Sequence, residues 1–249
     1  MTARVVLVTG GGRGIGAATA LLAAEQGYAV GVNFRRDEES AQAVVRKIVD
    51  RGGQALALQA DVAREAEVVA MFRRLDDAWG PLGALVNNAG ILETQSRVDA
   101  LASARIERIL ATNVIGTLLC CREAVRRMST RHGGHGGAIV NVSSVASRTG
   151  SPGEYVDYAA SKGAVDSLTV GLAHEVAQEG IRVNAVRPGF IHTDMHADGG
   201  EPGRIDRVKA FVPMRRGGQP HEVAEAILWL LSDRASYTTG AFVEIAGGR

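Results

Sequence analysis

Short apolar segments alternate with longer helix-like segments along the whole chain, and this alternation restricts the possible folds more than any other feature. Seven segments are almost continuously apolar instead of alternating between apolar and polar residues. That pattern is typical of strands buried on both faces of a sheet. The predicted strands are Val5–Thr9, Ala29–Phe34, Ala55–Ala60, Ala84–Asn87, Ala138–Ser143, Arg182–Arg187 and Ala241–Ile245.

Six helix-like segments separate these strands. A strand–helix–strand order favours a parallel sheet with helices on both faces, joined by right-handed crossovers. The sequence therefore predicts an α/β, doubly wound fold with a seven-stranded parallel sheet. The predicted helices are Ile15–Gln26, Glu38–Arg51, Glu65–Trp79, Ala104–Arg131, Tyr158–Gln178 and Pro220–Ser232.

No repeat, low-complexity segment or linker divides the sequence, which predicts one domain over residues 1–249. Residues 194–218 are the least regular part, with five glycines and two prolines. Irregular segments of this length usually cover an active site or are disordered. Within this one, Ile205–Phe211 has apolar spacing for one or two helical turns. We therefore expect residues 194–218 to be a substrate loop, in which Ile205, Val208 and Phe211 close over the substrate.

Charge balance and cysteine content exclude several classes of protein. The formal net charge is +1, which argues against a nucleic-acid partner bound through bulk basicity. No stretch approaches the ~18 apolar residues that cross a membrane, and a strand predicted from Arg4 leaves no room for a signal peptide. Cys120 and Cys121 are adjacent and fit neither a disulfide framework nor a zinc site. These features indicate a reducing, cytoplasmic location.

The glycine-rich segment Thr9–Gly16 lies between the first predicted strand and the first predicted helix. Glycines allow a tight turn and a close approach of backbone to a pyrophosphate, and the helix N-terminus offers free N–H groups to the anion. Gly10, Gly14 and Gly16 are spaced more loosely than G-x-G-x-x-G. The position after a strand and before a helix nevertheless favours a dinucleotide site over an ordinary turn.

Polar residues follow other predicted strands, at the sheet edge where ligands of open parallel sheets bind. Asparagine is scarce, at six residues in the chain, yet two adjacent ones follow the fourth strand. Any one of these positions alone could be a turn or a helix cap. Their agreement in position favours a single site. The segments are Asp61–Val62, Asn87–Gly90, Ser143–Ser144 and Pro188–Gly189.

Tyr158 and Lys162 lie four residues apart on a predicted helix, so they share a face. This spacing is common and alone would indicate a solvated pair. However, only three of the 28 basic residues are lysines. An ammonium group on a flexible stem can bind a sugar hydroxyl beside a phenol, whereas a planar guanidinium would fit differently.

With these motifs in this order, the sequence resembles the short-chain dehydrogenase/reductase family along essentially its full length. The resemblance implies a Rossmann fold and an oxidoreductase that interconverts a carbonyl and a secondary alcohol with a nicotinamide dinucleotide. Among family members, it is similar to 3-oxoacyl-carrier-protein reductases and sugar dehydrogenases about equally. The matching pieces are Thr9–Gly16, Asp61, Asn87–Gly90, Asn113, Ser144, Tyr158, Lys162 and Pro188–Thr193.

The resemblance implies a role for each of four catalytic residues. Tyr158 is the general acid/base, and Lys162 together with an oxidised nicotinamide is expected to lower its pKa from about 10. Ser144 binds the substrate oxygen. Lys162 holds the nicotinamide ribose, and Asn113 holds a water that relays protons. Ser143 is expected to point away from the site by strand alternation.

The resemblance also implies a cofactor site of twenty residues. These are Gly10, Gly12, Arg13, Gly14, Ile15, Gly16, Asn33, Phe34, Arg35, Asp61, Val62, Asn88, Ala89, Gly90, Tyr158, Lys162, Pro188, Gly189, Ile191 and Thr193.

The second strand end bears on the choice between NADP(H) and NAD(H). Phe34 stands where the family carries an acidic residue, Arg35 and Arg36 follow it, and Arg13 lies in the glycine loop. Guanidinium groups form strong pairs with a 2′-phosphate, which favours NADP(H). Asp37 could bind a ribose hydroxyl instead and so keep NAD(H) possible, but it could also be the N-cap of the next helix.

Several further expectations complete the sequence-based prediction. The histidine pairs His132/His135 and His192/His196 could suggest a metal, but we expect no metal site. Apolar residues lie on more than one face of Ala104–Arg131 and of Tyr158–Gln178, and the family resemblance implies that these helices pair between copies in a homotetramer. The partner is then a small-molecule substrate, whose identity the sequence does not indicate. The alternative function is a sensor or scaffold that binds a dinucleotide without catalysis.

Overall fold

The computed structural model describes residues 4–249 and contains a seven-stranded, fully parallel sheet. The strand order is β3-β2-β1-β4-β5-β6-β7, so the order reverses between β1 and β4. The predicted doubly wound α/β fold is confirmed. The strands are β1 (Val5–Val8), β2 (Ala29–Phe34), β3 (Gln54–Gln59), β4 (Leu82–Asn87), β5 (Gly137–Val142), β6 (Ile181–Pro188) and β7 (Phe242–Ile245).

Helices cover both faces of the sheet because the strands are apolar on both sides. One core cluster packs α1, α2 and α10 on one face, and a second packs α3, α5 and α7 on the other. The helices are α1 (Gly14–Glu25), α2 (Glu38–Val49), α3 (Glu65–Trp79), α4 (Ser103–Leu110), α5 (Gly116–Met128), α6 (Ala146–Thr149), α7 (Val156–Val176), α8 (Met195–Asp198), α9 (Arg204–Val208) and α10 (Pro220–Leu231).

The expected uninterrupted helix Ala104–Arg131 is wrong in one respect. A π turn over Ala111–Ile115 separates α4 from α5. Thr112 and Asn113 are buried in this turn. Single π turns inside α-helices occur frequently at functional sites, and this one carries a residue of the predicted site.

The predicted substrate loop contains more helix than its glycines suggested. The short helices α8 and α9 lie in it, and a 3₁₀ turn over Lys209–Phe211 follows α9 directly. The expected helical turns over Ile205–Phe211 are therefore present. Among the helices of residues 4–249, none is long and apolar enough to cross a membrane.

Candidate active site

Two adjoining cavities lie at the carboxyl ends of the strands, where the strand order reverses. The first, here called the glycine-loop cleft, has a volume of about 410 Å³ and extends from Gly10 to the end of β2. The second, the Tyr158 pocket, has a volume of about 310 Å³. The two share Ile15, Asn88, Thr193 and Met195 as lining residues. A ligand that crosses this reversal point would therefore contact both cavities.

A larger cavity, of about 700 Å³, lies at the opposite end of the sheet. It is lined by the C-terminal parts of α1 and α2 and by Trp79. None of the predicted site residues lines it. The predicted site residues that line a cavity lie along the two smaller ones.

The glycine loop has a conformation that requires glycine at three positions. Gly10 and Gly14 have φ angles of +60° and +54°, which side-chain-bearing residues rarely adopt. At Gly16, a Cβ atom would lie 2.3 Å from the Gly10 carbonyl oxygen and 2.5 Å from Asn88 Nδ2. The loop thus passes tightly over the first turn of α1, whose N–H groups are free to bind an anion.

Two asparagines hold this loop against the sheet. The Asn33 Oδ1 atom accepts a hydrogen bond from the Gly10 N–H at 3.1 Å. Asn88 Nδ2 donates to the carbonyl oxygens of Thr9 and Gly10, both at 3.0 Å. Both asparagines line the cleft, but their amides bind the loop backbone. They preorganise the predicted binding surface, a task that sequence reasoning did not separate from direct ligand contact.

Basic side chains line the β2 end of the cleft. Arg35 and Arg36 both line the cleft, and Arg35 Nη1 lies 3.8 Å from Asp61 Oδ2. Asp37 is the N-cap of α2, since its carboxylate accepts hydrogen bonds from the Ser40 N–H at 3.0 Å and the Ser40 hydroxyl at 2.6 Å. These bonds to Ser40 lower the pKa of Asp37. The capping role considered from sequence is therefore present.

Arg13 bridges the cleft from the glycine loop to the substrate loop. Its guanidinium donates a hydrogen bond to Asp198 at the end of α8. Both side chains are about half exposed, at 56% and 46%. Exposed ion pairs contribute only about 0–1 kcal/mol, so an anionic ligand could displace this one.

Ser144, Tyr158 and Lys162 all line the Tyr158 pocket. Ser144 follows β5, whereas Tyr158 lies in the first turn of α7 and Lys162 lies one turn later. The Lys162 ammonium lies 5.6 Å from the centre of the Tyr158 ring and donates to the Val142 carbonyl oxygen at 2.8 Å. The face of α7 that carries Tyr158 and Lys162 is therefore directed at the pocket, as expected.

Burial controls the titration of both groups. It raises the pKa of Tyr158 to about 12, with a hydrogen bond from Ser144 acting in the opposite direction. Burial also lowers the pKa of Lys162 to about 8, opposed by the charge of Asp166. Without a nicotinamide, desolvation of the phenolate dominates. The expectation that Lys162 and an oxidised nicotinamide together lower the pKa of Tyr158 stays a prediction. At neutral pH the phenol is protonated and can donate its proton.

The neighbouring residues that could be confused with Ser144 and Tyr158 have other contacts. Ser143 is buried and also lines the pocket, but its hydroxyl donates to Asp166 Oδ1 at 2.6 Å. The Tyr155 hydroxyl donates to the Gly199 carbonyl oxygen at 3.3 Å. Ser151, between α6 and α7, has a φ of +44°, so the chain is locally strained there.

Asn113 is fully buried, and its side chain binds a loop backbone. Its Oδ1 accepts from the Ile91 N–H at 2.8 Å, and its Nδ2 donates to the Ile91 carbonyl oxygen at 2.9 Å and to Ser161 Oγ at 3.0 Å. These contacts fix the loop that follows β4. The amide thus forms direct protein contacts, whereas sequence reasoning assigned it a water.

The substrate loop forms one wall of the Tyr158 pocket, through Met195, His196 and Arg204. Ile205 and Val208 are buried behind this wall, whereas Phe211 is 80% exposed. The expectation that Phe211 closes over the pocket is therefore wrong for this conformation. Its 3₁₀ turn directs the side chain to solvent after α9 has already buried its apolar face.

Among residues 4–249, no three His, Cys, Asp or Glu side chains converge as a metal site would require. His196 Nε2 instead forms a hydrogen bond with the Ile191 carbonyl oxygen at 3.1 Å, and its ring packs against Phe190. Burial lowers the pKa of His196, which favours the neutral ring.

Most predicted site residues line one of the two cavities, and two do not. Gly16 and Asn113 lie behind the surface and shape it. Arg204 and Arg249 also line the Tyr158 pocket and were not among the predicted site residues. No motif marks them, because only the folded substrate loop and C-terminal segment bring them to the pocket. The residues of the cofactor prediction that line the cavities are Gly10, Gly12, Arg13, Gly14, Ile15, Asn33, Phe34, Arg35, Asp61, Val62, Asn88, Ala89, Gly90, Tyr158, Lys162, Pro188, Gly189, Ile191 and Thr193.

Comparisons with known proteins agree with this geometry. A family model described as enoyl-(acyl carrier protein) reductase matches residues 10–249. The chain is 64% identical to the uncharacterized oxidoreductase YgfF of Escherichia coli, over 98% of this chain and 99% of that protein. It is 39% identical to the 3-oxoacyl-[acyl-carrier-protein] reductase FabG of Staphylococcus aureus, over 97% of this chain and 96% of that protein.

Solved structures show the same similarity. A mutant short-chain dehydrogenase/reductase of Serratia marcescens superposes with a TM-score of 0.91 at 34% identity, covering 99% of this chain and 98% of that one. A dehydrogenase/reductase of Sinorhizobium meliloti also gives a TM-score of 0.91 at 31% identity, covering 100% of this chain and 95% of that one.

Proposed function

The chain belongs to the short-chain dehydrogenase/reductase family, and from that premise we propose that it is an NADP(H)-dependent oxidoreductase that interconverts a carbonyl and a secondary alcohol. The observation that carries this proposal is the shared pocket of Ser144, Tyr158 and Lys162, which adjoins a glycine-loop cleft lined with arginines. The whole chain, residues 1–249, then acts as one domain with a substrate loop at 194–218.

The cleft fits a dinucleotide by its shape. A Cβ atom at Gly16 would push into the loop, so the backbone there is as close to α1 as glycine permits. The free N–H groups at the start of α1 would hold the pyrophosphate. Ala89 and Gly90 would line the path toward Lys162, since a Cβ atom at Gly90 would lie only 3.4 Å from Lys162 Nζ. The bound nicotinamide supplies or accepts the hydride.

The residues of this chain then move the proton. Tyr158, whose pKa is raised by burial to about 12, donates its phenolic proton to the substrate oxygen during reduction. Ser144 stabilises the charge that develops on the same oxygen through its hydroxyl. Lys162 retains a hydrogen bond to Val142 and places its ammonium near the phenolate that remains.

The preference for NADP(H) over NAD(H) rests on the basic β2 end of the cleft. Arg35 and Arg36 line it, and Asp37 already binds Ser40 as a helix cap. An Arg35→Asp variant should lose about 10- to 100-fold in NADPH affinity, because hydrogen bonds to charged groups are worth about 1.5–3 kcal/mol. NADH affinity should change little. The matched control is Arg74→Asp, the same charge change at an exposed position outside the cleft.

Catalysis is tested by NADPH oxidation with purified protein over ketones, 3-oxoacyl thioesters and sugars. Tyr158→Phe should abolish turnover while leaving NADPH affinity intact. Tyr155→Phe is the matched control, since this tyrosine lines the same pocket but its hydroxyl binds the Gly199 carbonyl. Tight NADPH binding without turnover of any of these substrates would support the sensor or scaffold alternative instead.

We further propose a homotetramer in the cytoplasm. Ile115 and Leu118, beside and within α5, and Val170 on α7 are 49%, 45% and 38% exposed, which leaves apolar surface for a second copy. Cys120 and Cys121 are buried free thiols, which agrees with a reducing compartment. A light-scattering mass of one chain at micromolar concentration would exclude the tetramer.

A further inference from the structure

Arg105 on α4 and Asp157 at the start of α7 form a buried ion pair. Their side chains are only 9% and 4% exposed. Arg105 Nε donates to Asp157 Oδ2 at 2.6 Å, and Arg105 Nη2 donates to Asp157 Oδ1 at 3.2 Å. This two-point contact fixes the orientation of both planar groups, which a single contact would not do.

The same two residues also reach a pocket-forming loop and Tyr158. Arg105 Nη1 donates to the carbonyl oxygen of Thr94 at 2.5 Å, in the loop that follows β4. On the other side, Asp157 Oδ1 accepts from the Tyr158 N–H at 2.9 Å. An unbroken series of hydrogen bonds therefore runs from the loop at Thr94 to the backbone of Tyr158.

A second bridge runs parallel to the first, from the π turn. Asn113 binds both backbone groups of Ile91 and donates to Ser161 on α7. The two bridges thus join the same loop to the same helix, at positions 157 and 161 on either side of Tyr158. In an α-helix, residues eight apart are about 80° out of register, and the wider π turn reduces this offset. Arg105 on α4 and Asn113 in the π turn both contact the loop that follows β4 and helix α7.

Arg108, also on α4, forms a solvent-exposed ion pair with the loop that follows β4. It donates to both carboxylate oxygens of Glu93, at 2.9 and 3.0 Å, in the same loop. However, its side chain is 58% exposed, and no bond continues from Glu93 to α7 among the described residues. This pair holds the loop without linking it to Tyr158.

The loop that Arg105 holds also contacts the substrate loop. A Cβ atom on Gly199 would lie 2.2 Å from Leu92, and one on Gly200 would lie 3.1 Å from Thr94. Leu92 itself lines the Tyr158 pocket. A shift of the loop at Thr94 would therefore move the pocket wall relative to the phenol.

We propose that Arg105 is a positioning residue: it joins the pocket wall at Leu92–Thr94 to the turn that carries Tyr158, so that bound carbonyl and proton donor keep a fixed separation. Its kinetic consequence rests on the proposed function, whereas the mechanical link does not. A misplacement of about 1 Å can cost about 100-fold in rate, so the link would govern turnover more than binding.

The test compares Arg105→Met, Arg105→Lys and the matched control Arg108→Met. Lys can neutralise the buried Asp157 carboxylate but cannot bind Asp157 at two points and Thr94 at a third. It therefore separates charge neutralisation from positioning. It also keeps the test valid should Arg105→Met fail to fold, since an unpaired buried carboxylate is strongly destabilising.

The first measurement is hydrogen exchange by mass spectrometry, which needs no substrate. The melting temperature of Arg105→Lys should lie close to that of the unaltered protein. Amides in residues 92–96 and in the first turn of α7 should nevertheless exchange about tenfold faster, and together. Arg108→Met should accelerate exchange in the loop alone.

The second measurement is steady-state kinetics with the best carbonyl substrate from the NADPH screen. Arg105→Lys should lower kcat by about tenfold or more, with KM for NADPH within about twofold of the unaltered value. Arg108→Met should leave kcat unchanged. Full recovery of kcat and exchange rates in Arg105→Lys would show that Arg105 only neutralises Asp157, and would overturn the proposal.

Each measurement can refute a different claim. Absence of turnover in the unaltered protein would refute the proposed function, while exchange would still decide whether the link exists. Unchanged exchange in the first turn of α7 would refute the link even in an active enzyme.

Discussion

Replacing Gly16 by Ala tests whether the glycine loop is as tightly packed as the structure shows. The added Cβ atom would lie 2.3 Å from the Gly10 carbonyl oxygen and 2.5 Å from Asn88 Nδ2. Both atoms belong to the hydrogen bond, 3.0 Å long, through which Asn88 holds the loop. The chain must therefore shift the loop or the first turn of α1, and either movement weakens this bond.

Opposing contributions set the size of the effect. Alanine in a helix is favoured over glycine by about 1 kcal/mol. Overpacking costs about 1–3 kcal/mol, and a buried group that loses its partner costs about 1–3 kcal/mol. Together these give a net destabilisation of about 1–5 kcal/mol, and we expect about 2 kcal/mol because the Asn88 hydrogen bond is weakened and not lost. For a domain of this size, 1 kcal/mol corresponds to about 2–4 °C, so the melting temperature should fall by about 4–8 °C.

Gly163→Ala on α7 is the matched control, because a Cβ atom there meets nothing within 4 Å. Only the helix-propensity gain remains, so its melting temperature should rise by about 2–4 °C. Thermal unfolding by circular dichroism at one fixed protein concentration measures both. NADPH titration should in addition show about tenfold weaker binding for Gly16→Ala, a loss of about 1.4 kcal/mol. A melting temperature at or above that of the unaltered protein would refute the packing argument.

Three further predictions concern the charges and walls of the site. Burial lowers the pKa of Lys162 from 10.5 to about 8, so between pH 8 and pH 10.5 the unfolded chain binds more protons than the folded protein. The unfolding free energy, measured relative to that of Lys162→Met, should therefore rise from pH 8 to pH 10.5, and denaturant titrations that show no pH dependence of this difference would contradict the prediction. Phe190 lines the Tyr158 pocket, so Phe190→Leu should raise the carbonyl KM by about fivefold without changing NADPH affinity, as initial-rate kinetics and nucleotide titration would show. Asp198→Asn should release Arg13 from its ion pair and strengthen NADPH binding by up to about fivefold, because Arg13 could then pair with the 2′-phosphate. NADH is the control, and an equal gain for both nucleotides would argue against a contact between Arg13 and the 2′-phosphate.

Local patterns in the sequence were enough to predict the sheet and the main elements of the site. The apolar runs predicted every strand to within two residues at either end, since a strand buried on both faces cannot carry polar residues freely. The positions of Ser144, Tyr158 and Lys162 also followed from sequence. A strand end and a single helix face fix where such side chains point before any distant contact forms.

Contacts between distant segments decided the rest. Asn33 and Asn88 hold the glycine loop, and Asn113 holds Ile91, because folding brings those backbone groups within reach. The pKa of Tyr158 is raised to about 12 by burial, which depends on every element around it and on no neighbour in sequence.

The pair of Arg105 and Asp157 illustrates the difference most clearly. The two residues are 52 positions apart, and neither belongs to a recognisable motif. Sequence patterns report which residues share a face of one helix or strand. Tertiary structure decides which buried charges face one another, because a buried ion is stable only where the fold supplies its partner.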